Sequence, residues 1–120
     1  MKVLIVDDSL LAEHAIKSYF EKLGHEVVGL SKNGEEAKNK LLELKPDLVT
    51  VDEVMPGMNG TEFVEIINGL DKENNTKTRV FIISSDEIPQ QNREKIEVDS
   101  YILKPITLDK IKDALEKIVA

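Results

Sequence analysis

Four short apolar runs limit what this chain can fold into: Val3-Leu4-Ile5-Val6, Leu48-Val49-Thr50-Val51, Val80-Phe81-Ile82-Ile83 and Tyr101-Ile102-Leu103. None alternates polar with apolar residues as a half-exposed strand would. Nearly continuous runs of this length belong to strands covered on both faces, as in parallel sheets. Each run also stops abruptly at polar residues: Asp7-Asp8-Ser9, Asp52, Ser84-Ser85-Asp86 and Lys104-Pro105. A fifth strand, Glu26-Val27-Val28, lies between His25 and Leu30.

The segments between the runs have helical spacing. Leu11, Ala12, Ala15, Ile16, Tyr19, Phe20 and Leu23 form one inward stripe, stopped by Gly24. Asn33 can cap the next helix, with Glu36 in the capping-box position, and Ala37, Leu41, Leu42 and Leu44 face inward until Pro46 ends it. A third helix is expected from about Thr61 to Asn68, with Phe63, Val64, Ile66 and Ile67 inward and Gly69 as its stop; Asp71 to Thr78 then reads as a polar surface loop. The segment from Pro89 to Glu97 is weakly patterned, with Ile88 and Ile96 nearly its only apolar residues. Thr107 caps a last helix with Leu108, Ile111, Ala114, Leu115, Ile118 and Val119 inward. Strict alternation of strand and helix predicts an α/β fold: a parallel sheet with helices on both faces and right-handed crossovers.

At 120 residues the chain has room for one domain with a sizeable core, expected to span 1–120 with no output domain attached. The net charge of −7, from 16 basic and 23 acidic side chains, argues against a nucleic-acid surface. Without cysteine there is neither a disulfide nor a thiolate site, and without a long apolar run there is no membrane insertion. A cytoplasmic location and a monomeric state are the expectations. His14 and His25 lack ligand spacing and read as surface residues, Met55 and Met58 as loop packing, and Asp71-Lys72-Glu73 as a solvated turn.

In a parallel sheet all strands end on one edge, where open α/β folds bind ligands. Asp7, Asp8, Asp52, Ser84 and Lys104 therefore converge there. Singly each has a structural use: an aspartate can cap a helix, Ser84 can make a turn, and Lys104 can be a solvated charge. Together they form a chemical set. Three carboxylates repel one another unless a cation relieves them. Mg²⁺ takes oxygen ligands from one or two carboxylates plus a phosphate, with Mn²⁺ an alternative. Lys104 suits a phosphate oxygen, Ser84 offers a hydroxyl donor, and Asp52 can act as a carboxylate nucleophile that carries an acyl phosphate.

Val6-Asp7-Asp8-Ser9, Asp52 with Met55-Pro56-Gly57-Met58-Asn59-Gly60, Ser84 after its strand, and Tyr101 followed by Lys104-Pro105 resemble the receiver (response-regulator) domain of two-component signalling. The resemblance covers the whole chain. It implies the flavodoxin-like doubly wound sheet, order 2-1-3-4-5, with five helices, an order for which the chemotaxis receiver is itself a standard example. It implies that a sensor histidine kinase phosphorylates Asp52, that Asp8 ligates Mg²⁺ directly and Asp7 through water, and that the backbone carbonyl of Val54 completes the metal shell. Lys104 then contacts the phosphoryl group, Ser84 and Tyr101 form the switch, and the bond before Pro105 is cis. The implied role is a phosphoacceptor switch rather than an enzyme, acting on a downstream protein such as the motility apparatus in chemotaxis. A phosphorelay intermediate, passing phosphate to a histidine phosphotransfer protein, is the alternative within the family. A flavodoxin-like electron carrier shares the fold, but Asp7-Asp8 would repel a flavin phosphate. A magnesium-dependent phosphatase would need a substrate cap. The chain departs from the family pattern at Glu53, where an apolar residue is usual, at Val54, where a polar one often stands, and at Ser84-Ser85. The segment from Ser84 to Lys104 is also slightly short. Val54 offers no group to hold a hydrolytic water, which predicts slow loss of phosphate.

Overall fold

The computed structural model describes residues 1–119; the end of the chain at Ala120 and the side chain of Val119, expected inward, lie outside the described residues. The elements alternate throughout: β1 (Lys2–Val6), α1 (Leu10–Lys22), β2 (Glu26–Ser31), α2 (Gly34–Leu44), β3 (Leu48–Asp52), α3 (Gly60–Asn74), β4 (Arg79–Ser84), α4 (Gln90–Arg93), β5 (Ser100–Leu103) and α5 (Leu108–Val119). The strands form one five-stranded sheet in the order β2-β1-β3-β4-β5, and every pairing is parallel.

Two cores explain why the runs are continuous, because successive strand residues point to opposite faces. Leu4, Val6, Val49, Val51, Val80 and Ile82 pack with Ala37 and Leu41 of α2 and Phe63, Val64 and Ile67 of α3. Val3, Ile5, Leu48, Phe81, Ile83 and Ile102 pack with Ile16 and Phe20 of α1 and Ile111, Ala114 and Leu115 of α5. Phe20, Phe63 and Phe81 are fully buried; truncating one to alanine would cost about 3–5 kcal/mol.

Several helices differ from their sequence expectation. Ser9, and neither Asp7 nor Asp8, caps α1 by accepting from the Ala12 amide at 3.2 Å. Leu11, expected inward, is 83% exposed, and the buried position belongs to Glu13. Leu42, also expected inward, lies on the open side of α2. Asn33 caps α2 through the Glu36 amide at 2.8 Å, but the Glu36 carboxylate turns to Lys40 at 3.3 Å instead of closing a capping box. Helix α3 runs through Gly69, because a side chain there would meet only open space and a glycine costs a helix just about 1 kcal/mol. It ends at Asn75, whose φ of 55° is left-handed. Asp71, placed in the loop by the sequence pattern, closes that turn by accepting from Thr76 Oγ1 at 2.7 Å, the Thr78 amide at 2.9 Å and Thr78 Oγ1 at 2.9 Å. The helix expected from Pro89 to Glu97 shrinks to the single turn of α4, with Ile88 and Ile96 buried on either side of it. His25 is half-buried rather than on the surface, its Nδ1 2.9 Å from the amino terminus. Among the described residues no helix is long and apolar enough to cross a membrane.

Candidate functional site

β1 lies beside β3 with Val6 opposite Val51, so Asp7 and Asp8 after β1 and Asp52 at the end of β3 share one patch of the sheet edge. One carboxylate oxygen from each of Asp7, Asp8 and Asp52 lies within 4.8 Å of the others. Asp7 is 1% exposed and Asp52 4%, while Asp8 faces solvent. Lys104, one residue past β5, brings its Nζ to 3.5 Å from Asp52 Oδ1. The Lys104–Pro105 peptide bond is cis.

The electrostatics are those of a site that wants a cation. Burial pushes the Asp7 carboxyl above its ordinary value; the Ser9 amide, donating to Oδ1 at 2.9 Å, pulls it back, and the charge of Asp52 pushes it up again. Burial likewise raises Asp52, against the charge of Lys104 and the backbone amide of Val54. Asp7 Oδ2 is buried without a hydrogen-bond partner, a costly state for a carboxylate oxygen. An all-oxygen donor set with a deficit of positive charge fits Mg²⁺. Asp7, Asp8 and Asp52 would hold it.

Ser84 is buried at the end of β4, but its hydroxyl is engaged away from this cluster. It donates to the Asp86 carbonyl at 2.6 Å and accepts from the Asp86 amide at 3.2 Å, forming a small turn. Tyr101 is half-buried, with the Arg93 guanidinium 4.3 Å from its ring centroid. Burial raises the Tyr101 phenol and the charge of Arg93 lowers it. Arg93 Nε also donates to the Ile88 carbonyl at 3.1 Å. Beside them is a cleft of about 410 Å³ bordered by Ser84, Asp86, Arg93, Leu103 and Lys117. Thus Asp7, Asp8, Asp52 and Lys104 are brought together, while Ser84 and Tyr101 stand next door around a separate opening. The Val54 side chain is 74% exposed.

Three contributors are absent from the sequence reading. Glu13, 1% exposed with Oε2 unpartnered, lies under the acidic edge; burial and the charge of Asp7 push it up to about 7. Its spacing to Ile16 and Phe20 continues their buried stripe, and that was the available signal. Lys110 Nζ donates to the carbonyls of Leu103 and Pro105, both at 2.9 Å, and so clips the turn that carries Lys104. A cation in the first turn of a helix opposes the helix dipole, a hint that it has another task. Arg93 had no readable signal, since its partner Tyr101 lies on a different element.

The family described as "Response regulator receiver domain" matches residues 3–116. The chemotaxis protein CheY of Thermotoga maritima is 36% identical over 117 residues, covering 98% of this chain and 96% of that protein. A protein-glutamate methylesterase/protein-glutamine glutaminase of Archaeoglobus fulgidus is 48% identical over 67 residues, 56% of this chain but 19% of that larger protein. Among solved structures, the CheX-CheY-BeF3-Mg+2 complex from Borrelia burgdorferi gives a TM-score of 0.88 at 29% identity, covering 100% of this chain and 90% of that one.

Proposed function

The chain belongs to the response regulator receiver family, the phosphorylation-controlled partner switches of two-component signalling, and we propose that in this member Asp52 is the phosphoacceptor. The observation that carries the assignment is the position of Asp52: among the described residues it is the one buried carboxylate that both joins the three-oxygen cluster and meets an ammonium group, Lys104. An Asp52 oxygen forms the new P–O bond. The bond that breaks is the P–N bond of a kinase phosphohistidine, or the bridging P–O bond of a small acyl phosphate, and the departing imidazole or carboxylate takes the electron pair. A bound Mg²⁺ would supply charge neutralisation for the phosphoryl oxygens. Lys104 supplies a further positive charge beside Asp52, in a site whose burial makes such charges count.

Phosphorylation then alters what Ser84 can bond. Its hydroxyl leaves the Asp86 backbone for a phosphoryl oxygen, the turn opens, and Tyr101 and Arg93 repack along the neighbouring cleft. A protein that prefers one arrangement is thereby gained or lost. The similarity to chemotaxis proteins favours a histidine kinase as donor and a component of the chemotaxis or motility machinery as partner. The deciding experiment is incubation with Mg²⁺ and acetyl phosphate, read by intact mass. The wild type gains one phosphoryl group and Asp52→Asn gains none; equal labelling of both proteins would overturn the assignment.

A further inference from the structure

Glu53 follows the acceptor directly, just past the end of β3, and is a carboxylate where an apolar residue is expected. It does not point at the acidic cluster. Its Oε1 accepts from the Thr61 amide at 2.7 Å and from Thr61 Oγ1 at 3.0 Å, and its Oε2 lies 2.9 Å from the same hydroxyl. Thr61 is 5% exposed, in the first turn of α3 and among its buried residues. A buried hydroxyl and a half-buried carboxylate persist together only when they satisfy each other. The backbone of Glu53 is fixed as well: its amide donates to the Ile83 carbonyl of β4 at 2.9 Å, and its carbonyl accepts from the Gly60 amide at 2.9 Å. Glu53 therefore supplies the partners of two of the four amides that open α3, while Asn59 takes a third. Gly60 makes this closeness feasible, since a Cβ there would meet the Asp52 carbonyl oxygen at 2.8 Å and the Glu53 Cα at 2.9 Å.

Residues 53–60 thus form a loop tied shut at its base, and Val54 is the first residue beyond the tie, with its amide directed to Asp52. We propose that Glu53 is a positioning residue of the phosphorylation site: locked to Thr61, it holds the loop so that the backbone of Val54 faces Asp52 and the metal. The inference rests on the receiver reading of the site, but it assigns to Glu53 and Thr61 a role that the three aspartates and Lys104 do not carry.

Charge and geometry are separable by substitution. Glu53→Ala removes both; Glu53→Gln keeps an acceptor oxygen without the charge; Thr61→Val keeps the charge without the hydroxyl; Thr61→Ser retains the whole linkage. Two readouts apply to folded protein: the Mg²⁺ dissociation constant by calorimetry, and hydrogen exchange at the Val54 amide without metal. Loss of a group that orients metal ligands weakens binding by about tenfold or more. Glu53→Ala and Thr61→Val should each weaken Mg²⁺ by that factor and expose the Val54 amide, with Glu53→Gln between them and the wild type, and Thr61→Ser unchanged. The proposal is overturned if Thr61→Val binds Mg²⁺ as the wild type does while Glu53→Gln matches Glu53→Ala, since charge alone would then act. It is equally overturned if the Val54 amide is indifferent to all four changes. Should the wild type bind no Mg²⁺, the receiver reading of the site fails, and the metal-free exchange data still decide whether Glu53 positions the loop.

Discussion

The Nζ of Lys104 stands 3.5 Å from Oδ1 of Asp52, across the end of the intervening strand β4. It is the direct ion pair of the acidic cluster, and its side chain is 31% exposed against 6% for that of Asp52. Lys104→Met should slow phosphorylation of Asp52 by about 100-fold, the size of effect seen when one preorganised charge-stabilising donor is removed. The rate of mass gain from acetyl phosphate measures it. A rate within threefold of wild type would mean that Lys104 balances the resting charge only.

The unpartnered, buried oxygen of Asp7 implies that the metal-free fold is strained by its own site. Asp7→Asn should raise the metal-free stability by about 1 kcal/mol, because it removes one of three mutually repelling charges. It should also abolish the rise in melting temperature that Mg²⁺ gives the wild type through preferential binding to the native state. Thermal melts with and without Mg²⁺ test both halves. A variant less stable than wild type in the absence of metal would contradict the strain.

Glu13 makes stability depend on pH. Its native value of about 7 is above the ordinary 4.5, so the folded state holds this proton more tightly than the unfolded chain does. The contribution is complete below pH 4.5 and is lost as pH rises through 7. Burial raises Asp7 and Asp52 in the same direction. Glu13→Gln should flatten this slope and stabilise the metal-free protein at pH 8 by on the order of 2 kcal/mol. Denaturant melts across this range check it, and an unaltered slope would sink it.

The exposed Val54 side chain at the mouth of the site carries no polar group to hold an attacking water. Val54→Asn should shorten the life of the phosphorylated form by about tenfold, a modest gain from orienting one reactant. Loss of the phosphoryl mass with time gives the rate, and equal lifetimes would remove Val54 from the account.

Arg93 joins α4 to β5 through the Tyr101 ring and to the loop before α4 through the Ile88 carbonyl. With α4 reduced to one turn and no side-chain cap, this contact adds to the buried Ile88 and Ile96 and to the Asn68–Glu97 hydrogen bonds in holding the segment from Ser85 to Val98. Arg93→Ala should cost about 0.5–1 kcal/mol and speed amide exchange there while leaving α1 unchanged. Exchange in that segment left unchanged by the substitution would refute the contact's role.

Strand positions and the convergence of Asp7, Asp8, Asp52 and Lys104 were legible because continuous apolar runs admit few alternatives, and a parallel sheet places every run's end on one edge. Helix ends were less legible. Gly69 reads as a stop, yet on the open side of α3 its missing side chain changes little. Pro89 to Glu97 has too few apolar residues to mark where α4 begins or ends. Glu13 was missed because acidic residues are rarely buried. The pairings of Glu53 with Thr61 and of Arg93 with Tyr101 link separate elements, and no local pattern reports them.

The site belongs to no single supersecondary unit: its carboxylates come from the ends of β1 and β3, and its ammonium from beyond β5. Four strand–helix–strand connections separate β1 from β5, and all must close before the four charges meet, so the cluster is among the most non-local features of the chain, and closing such loops is slow. Metal cannot template the early steps of folding, because there is nothing yet for it to bind. Mutual repulsion is likewise deferred until the hydrophobic cores are in place to withstand it. The three carboxylates that would hold Mg²⁺ meet once β1 has paired with β3, whereas Lys104 joins them only after β5 is in place; Mg²⁺ binding is therefore a reporter of the first half of the sheet, and the Lys104–Asp52 pair a reporter of the whole.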